Sequence, residues 1–332
     1  MAINALFIQR TARNPKEEKG LKTEMQNKKG KRGVNRKLLY FLFVLIIALI
    51  SAVGTYIASN EQEGETSGGQ SVSESPESFS VHYIDVGQGD CILTVCNGKT
   101  LLIDAGENGN ESTVINYLRA HGVKSLDYVI ATHPHSDHIG SLAEVIEEFG
   151  ASNVIMPRLP ENLTPTTKTY TDFLNAVKAS GAKVIAAKPG NSYTLGSAEF
   201  EILAPIDYNT DSLNNVSVVT RLVYGGKSFL FTGDAEKEVE LAVVDSGAVI
   251  DSDVLKVGHH GSKTSSSKDF LNAVSPEICV IMCGENNDYG HPHKEVLNRL
   301  KKYTDRIYRT DICGSIVLTC ADGEIEVNYE NE

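Results

Sequence analysis

From residue 79 onward the apolar and polar positions follow two rhythms. FSVHYIDV (79–86), CILTVC (91–96), TLLIDA (100–105), DYVIAT (127–132) and NVIMP (153–157) are short alternating or apolar runs that predict strands. Between them SLAEVIEEF (141–149) sets Leu142, Val145, Ile146 and Phe149 on one helical face, and 113–121 and 170–179 share that spacing. The second half repeats the style. EFEILAP (199–205), SVVTRLVYG (217–225), KSFLFTG (227–233), DVLKVG (253–258) and EICVIMC (277–283) predict strands, and 235–245, 267–274 and 293–303 predict helices. IVLTCADGEIEVNY (316–329) reads as a closing hairpin with Asp322-Gly323 in its turn. Strand hairpins followed by helices, twice over, predict an α/β fold: a helix–sheet–sheet–helix (αββα) sandwich in one domain over 79–332.

The patterning ahead of residue 79 is different. LLYFLFVLIIALISAVGTYIA (38–58) is 21 residues long without a charged side chain. At about 1.5 Å per residue it matches the roughly 30 Å hydrocarbon core of a bilayer, so one N-terminal transmembrane helix is expected. Residues 59–78 are Ser-, Glu- and Gly-rich and read as a flexible linker.

Charge orients that span. Residues 1–37 hold eleven Lys/Arg against three Glu, a net of +8; the whole chain is −12, which leaves −20 for residues 38–332. A basic leader stays in the cytoplasm and sends the rest outside, so the chain is expected in the cell membrane with its C-terminal domain extracytoplasmic. Secretion after signal cleavage is the alternative, though leader and apolar run are both long for a signal peptide. The acidic body speaks against extensive wrapping of nucleic acid. Six cysteines fall in the exported part, where disulfides are permitted, but their apolar contexts suit small buried hydrophobes. The sequence carries no signal for oligomeric state.

The chemistry is concentrated in THPHSDHIG (132–140), which holds three of the nine histidines. Pro134 and Asp137 argue against a buried strand face there. The loop follows the predicted strand DYVIAT, where sites of layered folds collect. Imidazoles and a carboxylate suit zinc or a neighbouring transition metal. His133 and His135, two apart, can face one point, while Asp137 and His138 turn toward another, so two adjacent metals fit better than one. Asp234 in FLFTGDAE follows a strand, where its carboxylate could bridge both metals or cap the next helix. VLKVGHHGS sets His259 and His260 at a further strand end; His260 reads as a ligand, His259 as an outer contact or proton donor.

These motifs, H-x-H-x-D-H after a strand, then GD, then HHGS, resemble the metallo-β-lactamase fold superfamily. IDVGQGD (84–90), LLIDAG (101–106), RLVYGGKSFLFTGDAE (221–236) and LKVGHHGS (255–262) are similar, more narrowly, to the ComEC-type exported hydrolase domain. The resemblance covers about residues 80–330. It implies the αββα sandwich and a hydrolase with two divalent metal ions, zinc first and manganese second. It also implies His133 and His135 on one metal, Asp137, His138 and His260 on the other, and Asp234 between them. Asp104 matches an aspartate that braces the H-x-H loop. One departure stands out: no histidine lies between His138 and His259, where most members supply a third ligand to the first metal. Asn214 and Ser217 in LNNVSVV occupy the matching stretch and are candidates for substrate or outer contacts. The channel-forming membrane bundle of ComEC has no counterpart, so the chain reads as a membrane-tethered relative of the hydrolase domain.

The implied reaction is hydrolysis of a phosphodiester, with single-stranded DNA the candidate substrate. Asp137 would orient the attacking water, and His259, His291 or His293 in YGHPHKEV would donate to phosphate or leaving group. A phosphorylcholine-esterase-like hydrolase of another exported phosphodiester is the second reading. A non-catalytic, metal-stabilised surface or competence-associated scaffold is the third, and β-lactam hydrolysis is more distant.

Overall fold

Alternation along β1 (Phe79–Tyr83) sets the plan of the molecule. Phe79, Val81 and Tyr83 enter one apolar cluster, whereas His82 turns the other way to Tyr117. In β3 (Lys99–Ile103), Leu101 and Ile103 join the same cluster and Leu102 a second one. A side-chain period of two gives each such strand two apolar faces, which requires cover on both sides. The computed structural model describes residues 78–321 and 323–331; the expected leader, membrane span and linker lie outside the described residues. Among the described residues no helix is long and apolar enough to cross a membrane.

One sheet adds β2 (Ile92–Cys96), β4 (Leu126–Ile130), β5 (Ala151–Met156), β6 (Lys183–Ala186), β14 (Ile316–Ala321) and β15 (Glu324–Tyr329), in the order β15-β14-β1-β2-β3-β4-β5-β6. The other contains β7 (Ser192–Leu195), β8 (Ala198–Ala204), β9 (Val219–Tyr224), β10 (Lys227–Phe231), β11 (Val254–Lys256), β12 (Ile278–Ile281) and β13 (Ile307–Arg309), in the order β13-β12-β11-β10-β9-β8-β7. Their inner faces share one core, in which Phe229 is fully buried with its ring 5.3 Å from that of Phe79. Burying such a side chain contributes about 2–3 kcal/mol.

Helices α1 (Glu111–Ala120), α3 (Leu142–Phe149) and α4 (Lys168–Ser180), with the single turn α2 (Ser136–Ile139), cover the outer face of the first sheet. Helices α5 (Lys237–Asp245), α6 (Lys268–Val274) and α7 (Lys294–Leu300) cover the second. This is the αββα sandwich expected from the patterning. The strands absent from that expectation, β6, β7 and β13, all lie at sheet edges and are only half-buried. An edge strand needs no apolar rhythm, because only part of it meets a core.

Strands β3 to β6 run parallel, as do β10 to β13. Within each sheet the loops after these strands therefore emerge on one side, the usual place for sites in parallel sheets. All six cysteines are free, and Cys91, Cys96, Cys279 and Cys283 are buried as small core residues.

Candidate metal centre

Asp104, the first residue after β3, has a left-handed backbone (φ 58°), an unusual conformation for a side chain that is not glycine. Its buried carboxylate accepts from Thr132 N at 2.8 Å and Thr132 Oγ1 at 2.6 Å, and lies 2.8 Å from His138 Nδ1. One carboxylate thus sets both the start of the 132–138 loop and the tilt of the His138 ring. Past Thr132 the chain runs through His133 and His135 into α2, which carries Asp137 and His138. Gly89 of DVGQGD lets the chain pass close to this loop. Asp90 N donates to Asp137 O, and a Cβ on Gly89 would come within 2.3 Å of that oxygen.

Asp234 follows β10. It does not cap α5, whose cap position is Glu236; its backbone amide instead donates to Ser217 Oγ at 3.2 Å. His259 and His260 follow β11 with φ of 49° and 53°, strained values that send adjacent rings in different directions. Gly261 closes this turn against Pro292, where a Cβ would sit 2.5 Å from Pro292 Cβ.

These loops converge. Asp234 Oδ1 lies 3.3 Å from His138 Nε2 and 3.4 Å from His260 Nε2, and Asp137 Oδ2 lies 3.3 Å from His260 Nε2. One ligand atom from each of Asp137, His138, Asp234 and His260 falls within 4.8 Å of every other, a set that could hold a metal ion. His138 Nε2, His260 Nε2 and Asp234 Oδ1 are buried without a hydrogen-bond partner. Three orphaned polar atoms aimed at one point are costly unless a cation satisfies them, so the residues fit a divalent metal. The remote nitrogens are oriented as metal ligands require: His138 Nδ1 by Asp104, and His260 Nδ1 by Met282 O at 2.9 Å.

Asp234 Oδ2 faces elsewhere, 3.8 Å from both His133 Nε2 and His259 Nε2. His133 Nε2 is also 2.9 Å from His135 Nδ1. The HxH pair and the tetrad therefore approach different oxygens of one carboxylate, although the HxH side is the looser of the two.

Charge explains the difference between the histidines. Burial lowers His133 and His135, which stay neutral. Burial also pulls on His138, but Asp234, Asp137 and Asp104 outweigh it and raise the group well above its ordinary value. His260 is raised in the same way by Asp234, Asp137 and Asp90 against burial. In the metal-free protein both hold protons that a cation must displace. Loading with zinc or manganese at pH 7 should therefore release about one to two protons per protein, and affinity should weaken as pH falls. Calorimetry in buffers of different ionisation heat reads this directly; binding without proton release would place the cation outside the tetrad.

A cavity of about 270 Å³ opens over the tetrad, lined by Asp137, Asn214, His259, His291, Gln88 and Tyr289 among others. Asn214 Nδ2 lies 3.5 Å from His259 Nε2. Two expected site residues stand back from this space. Ser217 is fully buried, with Oγ 3.4 Å from His133 Nδ1, so it cannot meet a substrate. His293 heads α7 and accepts from Lys263 N at 3.3 Å, bracing the HHGS turn. In the DVGQGD turn Asp85 accepts from Gly87 N, while Asp90 pairs with the fully buried Lys256 and lies 3.4 Å from His260 Nδ1. Lys256, Gln88 and Tyr289 lie inside LKVGHHGS, IDVGQGD and YGHPHKEV, yet no role is expected for them from sequence; a lysine inside the apolar run DVLKVG was the available sign of a buried ion pair.

Residues 84–285 match the model of the metallo-beta-lactamase superfamily, and the chain belongs to that superfamily. Within it the chain is similar to competence proteins. It is 33% identical over 254 residues to "ComE operon protein 3" of Bacillus subtilis, covering 71% of this chain and 32% of that protein. It is 33% identical to "Competence protein ComA" of Neisseria gonorrhoeae (73% and 32%), and 31% identical to "Recombination protein 2" of Haemophilus influenzae (76% and 30%). The chain thus spans about a third of the length of these relatives. Among solved structures, CmlA, a diiron β-hydroxylase from Streptomyces venezuelae, shares the fold, with a TM-score of 0.51 and 17% identity over 74% of this chain and 55% of that one.

Proposed function

We propose that this chain is a membrane-anchored, extracytoplasmic phosphodiesterase with a dinuclear centre of zinc or manganese, bridged by Asp234. The observation that carries the reading is the division of labour at Asp234. One oxygen faces His138 and His260 at 3.3 and 3.4 Å; the other faces His133 at 3.8 Å. The charge balance agrees. Asp90, Asp104, Asp137 and Asp234 are offset in the metal-free protein by Lys256 and by the protons on His138 and His260, and cations that displace those protons would take over their share of the charge. The relatives named for competence and recombination support nucleic acid as the substrate class, of which single-stranded DNA is the candidate to assay. The apolar run 38–58 behind its basic leader supports the anchor from sequence alone.

Two divalent cations, when bound, would bring the pKa of a water toward about 7 and offset charge on a phosphate. The chain's own groups do the positioning. Asp137, with its side chain 27% exposed, faces the cavity; burial opposes its ionisation, but His138 and His260 hold it well below the usual carboxylate range. It can therefore orient a water as an anion at neutral pH. Burial, helped by His260 and His259, lowers His291 to about 4. It would meet the substrate as a neutral hydrogen-bond donor to phosphate oxygen and not as a proton source.

The test is turnover of single-stranded DNA, bis-p-nitrophenyl phosphate and p-nitrophenyl phosphorylcholine with zinc or manganese. The first two should be cleaved, with activity lost to chelator and regained with metal. Cleavage of the choline ester alone would favour another exported phosphodiester, and no turnover at all would leave a scaffold.

A further inference from the structure

Resting on the phosphodiesterase reading, we propose that Tyr289 is a stacking platform that receives the nucleobase next to the scissile phosphate. Tyr289 is 67% exposed yet lines the cavity above the tetrad. Its presentation is built. Asn287 clamps the loop at its base, donating to Gly284 O at 2.9 Å and to His291 O at 2.6 Å, and accepting from His291 N at 2.9 Å. Gln88 pins the same loop by accepting from Gly284 N at 3.2 Å. The ring at the loop tip stacks on His291, with centroids 5.6 Å apart and planes at 19°. His291 is 9% exposed, its Nδ1 is buried without a partner, and its ring lies 6.3 Å from that of ligand-set residue His260.

An exposed aromatic ring at a cavity mouth offers a flat partner a favourable stacking contact. One face of Tyr289 is used by His291 and the other is open, which suits a flat ring; a quaternary ammonium is usually boxed by several aromatic rings. No lysine or arginine lines the cavity. Phosphate contact there depends on the metal ions, and base stacking supplies the rest of the grip, tolerant of sequence because every base has a π-face. A substrate whose phosphate lies over a cation held by Asp137 and His260 can lay its neighbouring base on Tyr289.

The experiment compares kcat/KM of the metal-loaded full chain on an oligothymidine strand and on an abasic strand of equal length. The wild-type chain should prefer the base-bearing strand by about 10-fold or more, expressed in KM. Tyr289→Ala should bring that ratio near one, and Tyr289→Phe should retain it. An unchanged ratio in Tyr289→Ala, even with both rates reduced, overturns the proposal, as does equal cleavage of the two strands by the wild-type chain. Equal cleavage leaves the phosphodiesterase reading standing. Cleavage of neither strand removes that reading and this inference together.

Discussion

Asp234→Asn is expected to abolish metal-dependent hydrolysis, lowering turnover of bis-p-nitrophenyl phosphate by on the order of 10³-fold while leaving the fold intact. The substitution keeps the shape of the side chain and its buried position. It removes the charge that both histidine groups share, at 3.3 and 3.4 Å on one oxygen and 3.8 Å on the other. An amide offers one oxygen and an NH₂, so one of the two sides would face a donor where it requires an acceptor. Metal content, measured after equilibrium dialysis, should fall with activity. Asp104→Asn is the graded comparison. That residue touches the cation set only through His138 and Thr132, and its loss should weaken metal binding about 10–100-fold without removing the site. Turnover in Asp234→Asn within tenfold of the wild-type chain would remove the shared carboxylate from the mechanism.

Lys256→Met should produce the largest loss of stability of any single exchange near the site. Lys256 has a fully buried side chain, pairs with Asp90, whose side chain is 2% exposed, and reaches Gly233 O at 3.4 Å beneath the Asp234 turn. Removing one partner of a buried pair strands the other charge and costs roughly 3–5 kcal/mol, whereas replacing both by apolar groups costs far less. Asp90→Leu combined with Lys256→Met should therefore recover part of the loss. The pH dependence follows from Asp90. Burial opposes its ionisation, but Lys256 and His260 hold it below its ordinary value. Its stabilising contribution is present above the unfolded carboxylate value and is lost as pH falls through the lower, folded one. The gap between wild-type and Lys256→Met midpoints in urea should thus be widest near pH 7 and narrow in acid. An equal gap at pH 7 and at pH values below the ordinary carboxylate value of 3.8 would mean that the methionine is penalised for shape and not for charge.

The two exchanges separate roles that the fold places a few ångströms apart. Asp234 lines the cavity with its carboxylate almost fully buried. Lys256 lies behind, where it offsets the buried carboxylate of Asp90. The superfamily relationship agrees with a His/Asp cluster that could hold metal ions; on its HxH side His133 Nε2 and His259 Nε2 stand 3.8 Å from Asp234, with Asn214 next to His259.

The chain itself determined its layers and its principal donors. Alternation in FSVHYIDV and TLLIDA requires a core on each side of a sheet, and H-x-H-x-D-H concentrates imidazoles and a carboxylate in one short segment after a strand. Those signals are legible because hydrophobic period and ligand spacing are local properties of sequence. The tertiary structure alone decided which carboxylate oxygen meets which histidine, that Ser217 is sealed behind His133, that His293 braces a turn, and that Lys256 neutralises Asp90 across 166 positions of chain. Such pairings depend on strand order and on left-handed turns at Asp104, His259 and His260, where the surrounding fold overrides the local preference of the backbone. Edge strands β6, β7 and β13 belong to the same category, since half-buried backbone takes its shape from a neighbouring strand and needs no pattern of its own.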